Sequence, residues 1–104
     1  MPKLHPEKLE ISRLWTVSTC HIASHDGELL SQLNEPLIAY EYPEGWWLWV
    51  PEEYYGKLDL AQLEELGFSP AIGHLLSIAQ DTHIEWIRLD ADGPKYDFLD
   101  TFHW

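Results

Sequence analysis

The sequence predicts an α+β fold: a two-layer sandwich with a mainly antiparallel sheet of about four strands and helices on one face, in the order β-α-β-β-α-α-β. Three observations carry this. Pro-Glu-Gly at 43–45 separates two runs of β-branched and aromatic residues, which is a hairpin signal. Residues 60–79 place apolar side chains at helical spacing, interrupted once by Gly-Phe-Ser-Pro at 67–70. Strand-like segments, RLWTVSTC and HIEWIRLD, stand near the two ends of the chain.

Each element has a local reason. Residues 1–11 hold Pro, Glu and Lys with weak patterning and read as a loose arm of a single domain spanning 1–104. The first strand covers about 13–19. Ser24 is the expected N-cap of a short helix with Leu29, Leu30 and Leu33 along one side. EPLIAYEY is the second strand, with Pro36 at its start, where a missing N–H is tolerated. Pro43 suits the first central position of a type I turn and Gly45 the left-handed position after it, a three-residue hairpin with a bulge. That turn sets Tyr42 opposite Trp46, Tyr40 opposite Leu48 and Ile38 opposite Val50. The face formed by these six residues is the more continuously apolar and is the expected core face. Leu37, Ala39, Glu41, Trp47 and Trp49 fall on the other.

Asp59 and Gln62 form a capping pair for the next helix, and Leu60, Leu63 and Leu66 follow. Gly67 closes it with Phe68 folding back. Ser69 and Pro70 then cap and begin a helix whose stripe is Ile72, Leu75, Leu76 and Ala79. In the last strand Ile87 and Leu89 point inward, Trp86 and Arg88 outward. DADGP stops it with turn chemistry, and YDFLDTFHW is an aromatic tail.

Charge and cysteine content narrow the function. Eighteen acids against six bases leave a net charge of −12, and no Lys or Arg occurs from Leu14 to Gly56. Direct nucleic-acid binding, which needs cations to displace phosphate counterions, is not expected, nor is attraction to an anionic membrane. The acidity serves solubility or a basic protein partner. One cysteine, Cys20, rules out an internal disulfide framework and a multi-Cys zinc site. No secretory leader or apolar membrane span is visible, so a cytoplasmic protein is expected.

The densest chemistry is aromatic. YEYPEGWWLWVPEEYY, residues 40–55, holds three of six Trp and four of five Tyr. With Ile38 and its companions facing the helices, Trp47 and Trp49 must look away, joined by Trp86 and Arg88. An aromatic patch of that size needs a cover. The cover is the chain's own tail through Phe98, Phe102 and Trp104, or a protein partner or second copy, or a stacked small ligand. Among other clusters, His21 and His25 with Cys20 lack a fourth metal ligand and an unbroken helix, so no metal or other cofactor is expected. A Cys20–His21 nucleophile pair fails because neighbours on a strand point to opposite faces. His21 reads instead as a buried ring bonded to backbone at a strand-to-helix corner. Asp90 and Asp92 superficially match a calcium loop, but position twelve is Thr101, so the segment reads as a turn.

Three stretches together, VSTCHIAS, PLIAYEYPEGWWLWVPEE and IEWIRLDADGP with the ending TFHW, resemble a family of small, acidic, functionally uncharacterised proteins found on bacterial plasmids, phages and integrated elements. The likeness covers most of residues 13–104. It singles out His21, Tyr40, Tyr42, Val50, Pro51, Trp86, Arg88, Asp90 and Asp92 as motif positions without assigned roles. Cys20 stands where a small residue is common. The resemblance implies a mobile-element setting and no particular reaction. The leading expectation is a non-enzymatic accessory protein that binds a protein partner, or itself, through Trp47, Trp49, Trp86 and Arg88. The alternative is a small-ligand binder or hydrolase using His21 and Arg88.

Overall fold

A computed structural model describes residues 9–32, 37–51 and 60–104. Strands β1 (Leu14–Ser18), β2 (Ala39–Tyr42), β3 (Gly45–Trp49) and β4 (Trp86–Asp90) form one mixed sheet in the order β1-β4-β3-β2. The β2–β3 and β3–β4 pairs are antiparallel and β1–β4 is parallel. Helices α1 (Ser24–Gln32), α2 (Leu60–Glu65) and α3 (Pro70–Asp81) complete the expected order.

Alternation along the strands decides what is inside. Val17, Leu48, Val50, Ile87 and Leu89 enter the core, where they meet Leu30 of α1, Leu63 of α2 and Ile72, Leu75, Leu76 and Ala79 of α3. Each fully buried aliphatic side chain contributes about 1.5–3 kcal/mol over its exposed state. Leu99 of the tail joins the same cluster.

The helix boundaries follow cap chemistry. At the end of α2 the N–H of Gly67 donates to Glu64 O and that of Phe68 to Leu63 O, with Gly67 at φ 99°. This is the paired-bond C-terminal motif, and buried Phe68 folds back as the sequence predicts. Ser69 and Pro70 take their expected cap and first-turn positions on α3. The end of α3 repeats the motif without glycine: His83 sits at φ 58°, its N–H donates to Gln80 O, and that of Ile84 donates to Ala79 O.

At the start of α1 the expectation is corrected. Ser24 is already helical, and the orphan N–H of Ala23 is satisfied by Asp26 Oδ2 at 2.8 Å. Asp26 is fully buried and also accepts from Ser69 N at 2.7 Å and Ser69 Oγ at 2.5 Å. One carboxylate therefore joins the N-termini of α1 and α3, where both helix dipoles favour negative charge.

The hairpin register is also corrected. Ala39 pairs with Leu48, Tyr40 with Trp47, Glu41 with Trp46 and Tyr42 with Gly45, so the loop is two residues, Pro43 and Glu44. The reason lies on the far side of β3. Gly45 pairs with Asp90, and a Cβ built on it would fall on the Leu89 carbonyl oxygen. The glycine is required for close strand approach and so belongs to β3, not to the turn. This one-residue shift exchanges the faces of β2. Leu37, 2% exposed, enters the core, while Ile38 at 39% and Tyr40 at 60% turn out with Tyr42. Leu33, Pro36 and Asp59, to which the sequence assigns roles, lie outside the described residues, as do Tyr54 and Tyr55 of the aromatic stretch.

Replacing Asp26 with Ala strands three donors and should lower stability by roughly 3–5 kcal/mol in urea unfolding. Asp26→Asn, which keeps one acceptor oxygen, should cost less. Replacing His83 with Gly removes the left-handed penalty of a side chain, so thermal unfolding should show a gain of about 0.5–1 kcal/mol.

Candidate functional site

The outer face of the sheet is built in cross-strand rows. Pairing sets Thr16, Arg88, Trp47 and Tyr40 side by side across β1, β4, β3 and β2. The next row is Leu14, Trp86 and Trp49, and the one on the other side is Ser18, Asp90, Gly45 and Tyr42. The sequence-predicted group Trp47, Trp49, Trp86 and Arg88 is therefore brought together. Tyr40 and Tyr42, expected in the core, belong to it as well.

The rings interlock. Trp86 lies 6.4 Å from Trp47 in an edge-on arrangement and 6.1 Å from Tyr40, centroid to centroid. Such pairs add about 0.5–1.5 kcal/mol beyond area burial. The Arg88 guanidinium carbon lies 5.8 Å from the Trp47 centroid, a cation–π contact. Trp47, Trp49, Trp86 and Arg88 are half-buried, and Leu14 and Ile38 leave apolar surface beside them.

The absent side chain of Gly45 lets Tyr42 reach across β3. Its hydroxyl donates to Asp90 Oδ2 at 2.7 Å. Burial, then the hydrogen bond to Asp90, pushes the Tyr42 phenol up to about 12. The same hydrogen bond, followed by the one from Asp92 N–H at 2.8 Å, holds the Asp90 carboxyl below the usual aspartate range. Asp92 thus closes a turn through its backbone. Gly93 follows at a spot where a Cβ would meet the Val17 backbone at 2.8 Å, so the DADG segment packs as a turn against β1.

His21 lies elsewhere. It is buried in a 3-10 turn, Thr19–His21, after β1. Its Nε2 accepts from Tyr96 N–H at 2.9 Å, which places the ring proton on Nδ1, and Nδ1–H donates to Asp100 O at 2.8 Å. Both nitrogens hold the tail, and no hydrogen bond joins His21 to Arg88. His25 is exposed, with Nε2 3.8 Å from Asp26. Among the described residues no group of three or more His, Cys, Asp or Glu is placed to hold a metal.

The tail takes a route the sequence does not reveal. Phe102 N–H donates to Cys20 O at 2.7 Å and Trp104 Nε1–H to Ile22 O at 2.9 Å. The Trp104 ring then packs 6.1 Å from Trp46 beside Gly27 of α1, where an added Cβ would meet Trp46 at 2.6 Å. Trp46 is on the core side of β3, so the terminal indole covers the helix layer. Phe98, 63% exposed, stacks near Tyr96 instead. Among the described residues neither ring pairs with Trp47, Trp49 or Trp86, so these two side chains do not supply the tail cover, one of the three covers considered.

Comparison with known families places this architecture. The model of a family of unknown function, the DUF5983 C-terminal domain, matches residues 14–104. The chain belongs to this family. The DUF5983 match opens at the first residue of β1 and takes in every described strand and helix. No curated protein and no solved structure matches the chain. Among the described residues no helix of this DUF5983 domain is long and apolar enough to cross a membrane.

The Tyr42–Asp90 bond has a pH signature. The Tyr42 pKa is raised on folding, so its stabilisation is complete below pH 10 and is lost as pH climbs through about 12. The Asp90 pKa is lowered, so its contribution is complete above the ordinary aspartate range and disappears as pH falls through the folded value. In an ultraviolet titration a tyrosinate step should appear near pH 12, and Tyr42→Phe should remove that step. The same variant should return the Asp90 carboxyl toward the ordinary range in an NMR titration.

Proposed function

We propose that this domain is a cytoplasmic, non-enzymatic interaction module that docks a basic protein partner on the outer face of its sheet. One observation carries the reading: three indoles and two phenol rings share the outer sheet face with Arg88, and neither Phe98 nor Trp104 of the tail packs on those indoles. Contiguous apolar surface of this kind marks a contact site on a soluble domain. Trp, Tyr and Arg are the residue types that dominate binding energy at protein interfaces. A rigid four-stranded sheet presents them with little ordering cost.

The charge balance argues for a partner of opposite sign. Two copies meeting through this face would each bring a net charge of −12. A basic partner is instead attracted over about a Debye length, roughly 8 Å at physiological salt, and is steered to the surface. Such a role suits an accessory protein of a mobile genetic element, which acts by occupying a partner rather than by turning over substrate.

The test uses a photo-crosslinking residue at position 49 and, as a control, at the exposed Glu64 on α2. A partner should be trapped from position 49 alone. Against that partner, once purified, Trp49→Ala should weaken binding at least about tenfold. The variant should remain folded, because a half-buried ring costs far less than the roughly 2–5 kcal/mol expected for Leu48→Ala in the core. Light scattering should give a monomer. A dimer that Trp49→Ala dissolves would identify the occupant as a second copy, and equal trapping from both positions would overturn the reading.

A further inference from the structure

Arg88 forms no hydrogen bond or ion pair with the described residues, although its charge acts on Asp90 and Tyr42 beside it. Its Nε is shut off from solvent and has no hydrogen-bond partner. Buried donors in folded proteins are nearly always paired, so an orphan of this kind calls for a reason. The aromatic contact with Trp47 holds the guanidinium plane but supplies no acceptor oxygen.

The nearest candidate within the sheet is Asp90, two residues along on the same face, and it is engaged elsewhere. Oδ2 accepts from the Tyr42 hydroxyl and Oδ1 from Asp92 N–H. Among the described residues Arg88 forms no ion pair. The terminal nitrogens also lack a partner in the described chain, yet only Nε among its nitrogens is sealed, so the terminal pair reaches the surface. The result is a planar cation, sealed at its inner nitrogen and open at its outer end, with Trp47 on one flank and Thr16 on the neighbouring strand. Guanidinium is suited to such a setting because its two terminal nitrogens match the two oxygens of a carboxylate.

We propose that Arg88 receives an Asp or Glu side chain of the docked partner, flanked there by an aromatic or aliphatic residue that packs on Trp47 and Trp86. This rests on the docking reading above and adds the chemistry at its centre. The partner is basic overall and places one carboxylate at the contact. Low dielectric between the rings strengthens that pair relative to one in water. The cation sets register and orientation, while the indoles supply contact area.

Two short probes separate the proposal from the reading beneath it: N-acetyl-Asp-Trp-amide and its isostere N-acetyl-Asn-Trp-amide. Binding is followed by NMR through the Arg88 Nε–H and the three outer indole N–H signals. The Asp peptide should shift these signals and bind at least about tenfold tighter than the Asn peptide. Arg88→Gln, shown to be folded by circular dichroism, should erase the difference. Arg88→Lys, a point charge without the planar fork, should recover part of it. Equal binding of both peptides at the indoles would overturn the carboxylate assignment and leave the docking face standing. Silence of all four signals with both peptides would overturn both.

Discussion

The imidazole of His21 is the constraint that organises this domain. Its two nitrogens bind the backbone at Tyr96 and Asp100, 75 and 79 residues away. Those bonds lay the tail along residues 19–22 and carry Trp104 to Trp46. A tail bound elsewhere would be free to fold over the outer indoles. The route of the described tail is thus set at a buried ring, both of whose nitrogens bind tail backbone. A buried imidazole with both nitrogens satisfied also meets the requirement that polar groups in the interior be paired.

A second constraint acts through absent side chains. Gly45 lets β3 approach Leu89, and the same vacancy lets Tyr42 span to Asp90. Gly27 makes room for Trp46 and Trp104 against α1. Large rings pack densely here because glycines stand opposite them. The polar contacts follow the same logic: Asp26 gathers donors from two helix starts, and Trp46 Nε1–H reaches Ser31 Oγ at 3.0 Å. Arg88 breaks the pattern, and that exception is what makes it informative.

Much of this was legible in the residues because its causes are local. Leu63, Gly67 and Phe68 encode one helix end, and Ser69 with Pro70 encode the next beginning. Strand alternation alone put Trp47 and Trp49 on one face and, from β4, Trp86 and Arg88 on the same side. What could not be read was decided at long range. Pro43 and Gly45 match a three-residue turn in isolation, but contact with Leu89, far along the chain, claims the glycine for β3. The faces of Tyr40 and Tyr42 follow from that distant contact and not from the local turn. The tail's route depended on which distant acceptors the His21 ring would meet. Ser24 had the chemistry of a cap, yet Asp26 held a better position between two helices.

The parallel pairing of β1 with β4 has a consequence for biogenesis. β1 is an edge strand whose sheet partner, Trp86–Asp90, emerges from the ribosome some seventy residues after it. Until then Trp15 and Val17 have no ladder to join, while the β2–β3 hairpin and the α2–α3 pair can form from nearby sequence. Contacts of such high sequence separation are entropically the last to close and slow the overall rate. Completion of the sheet therefore waits on β4, and β1 is the strand whose pairing closes the longest loop.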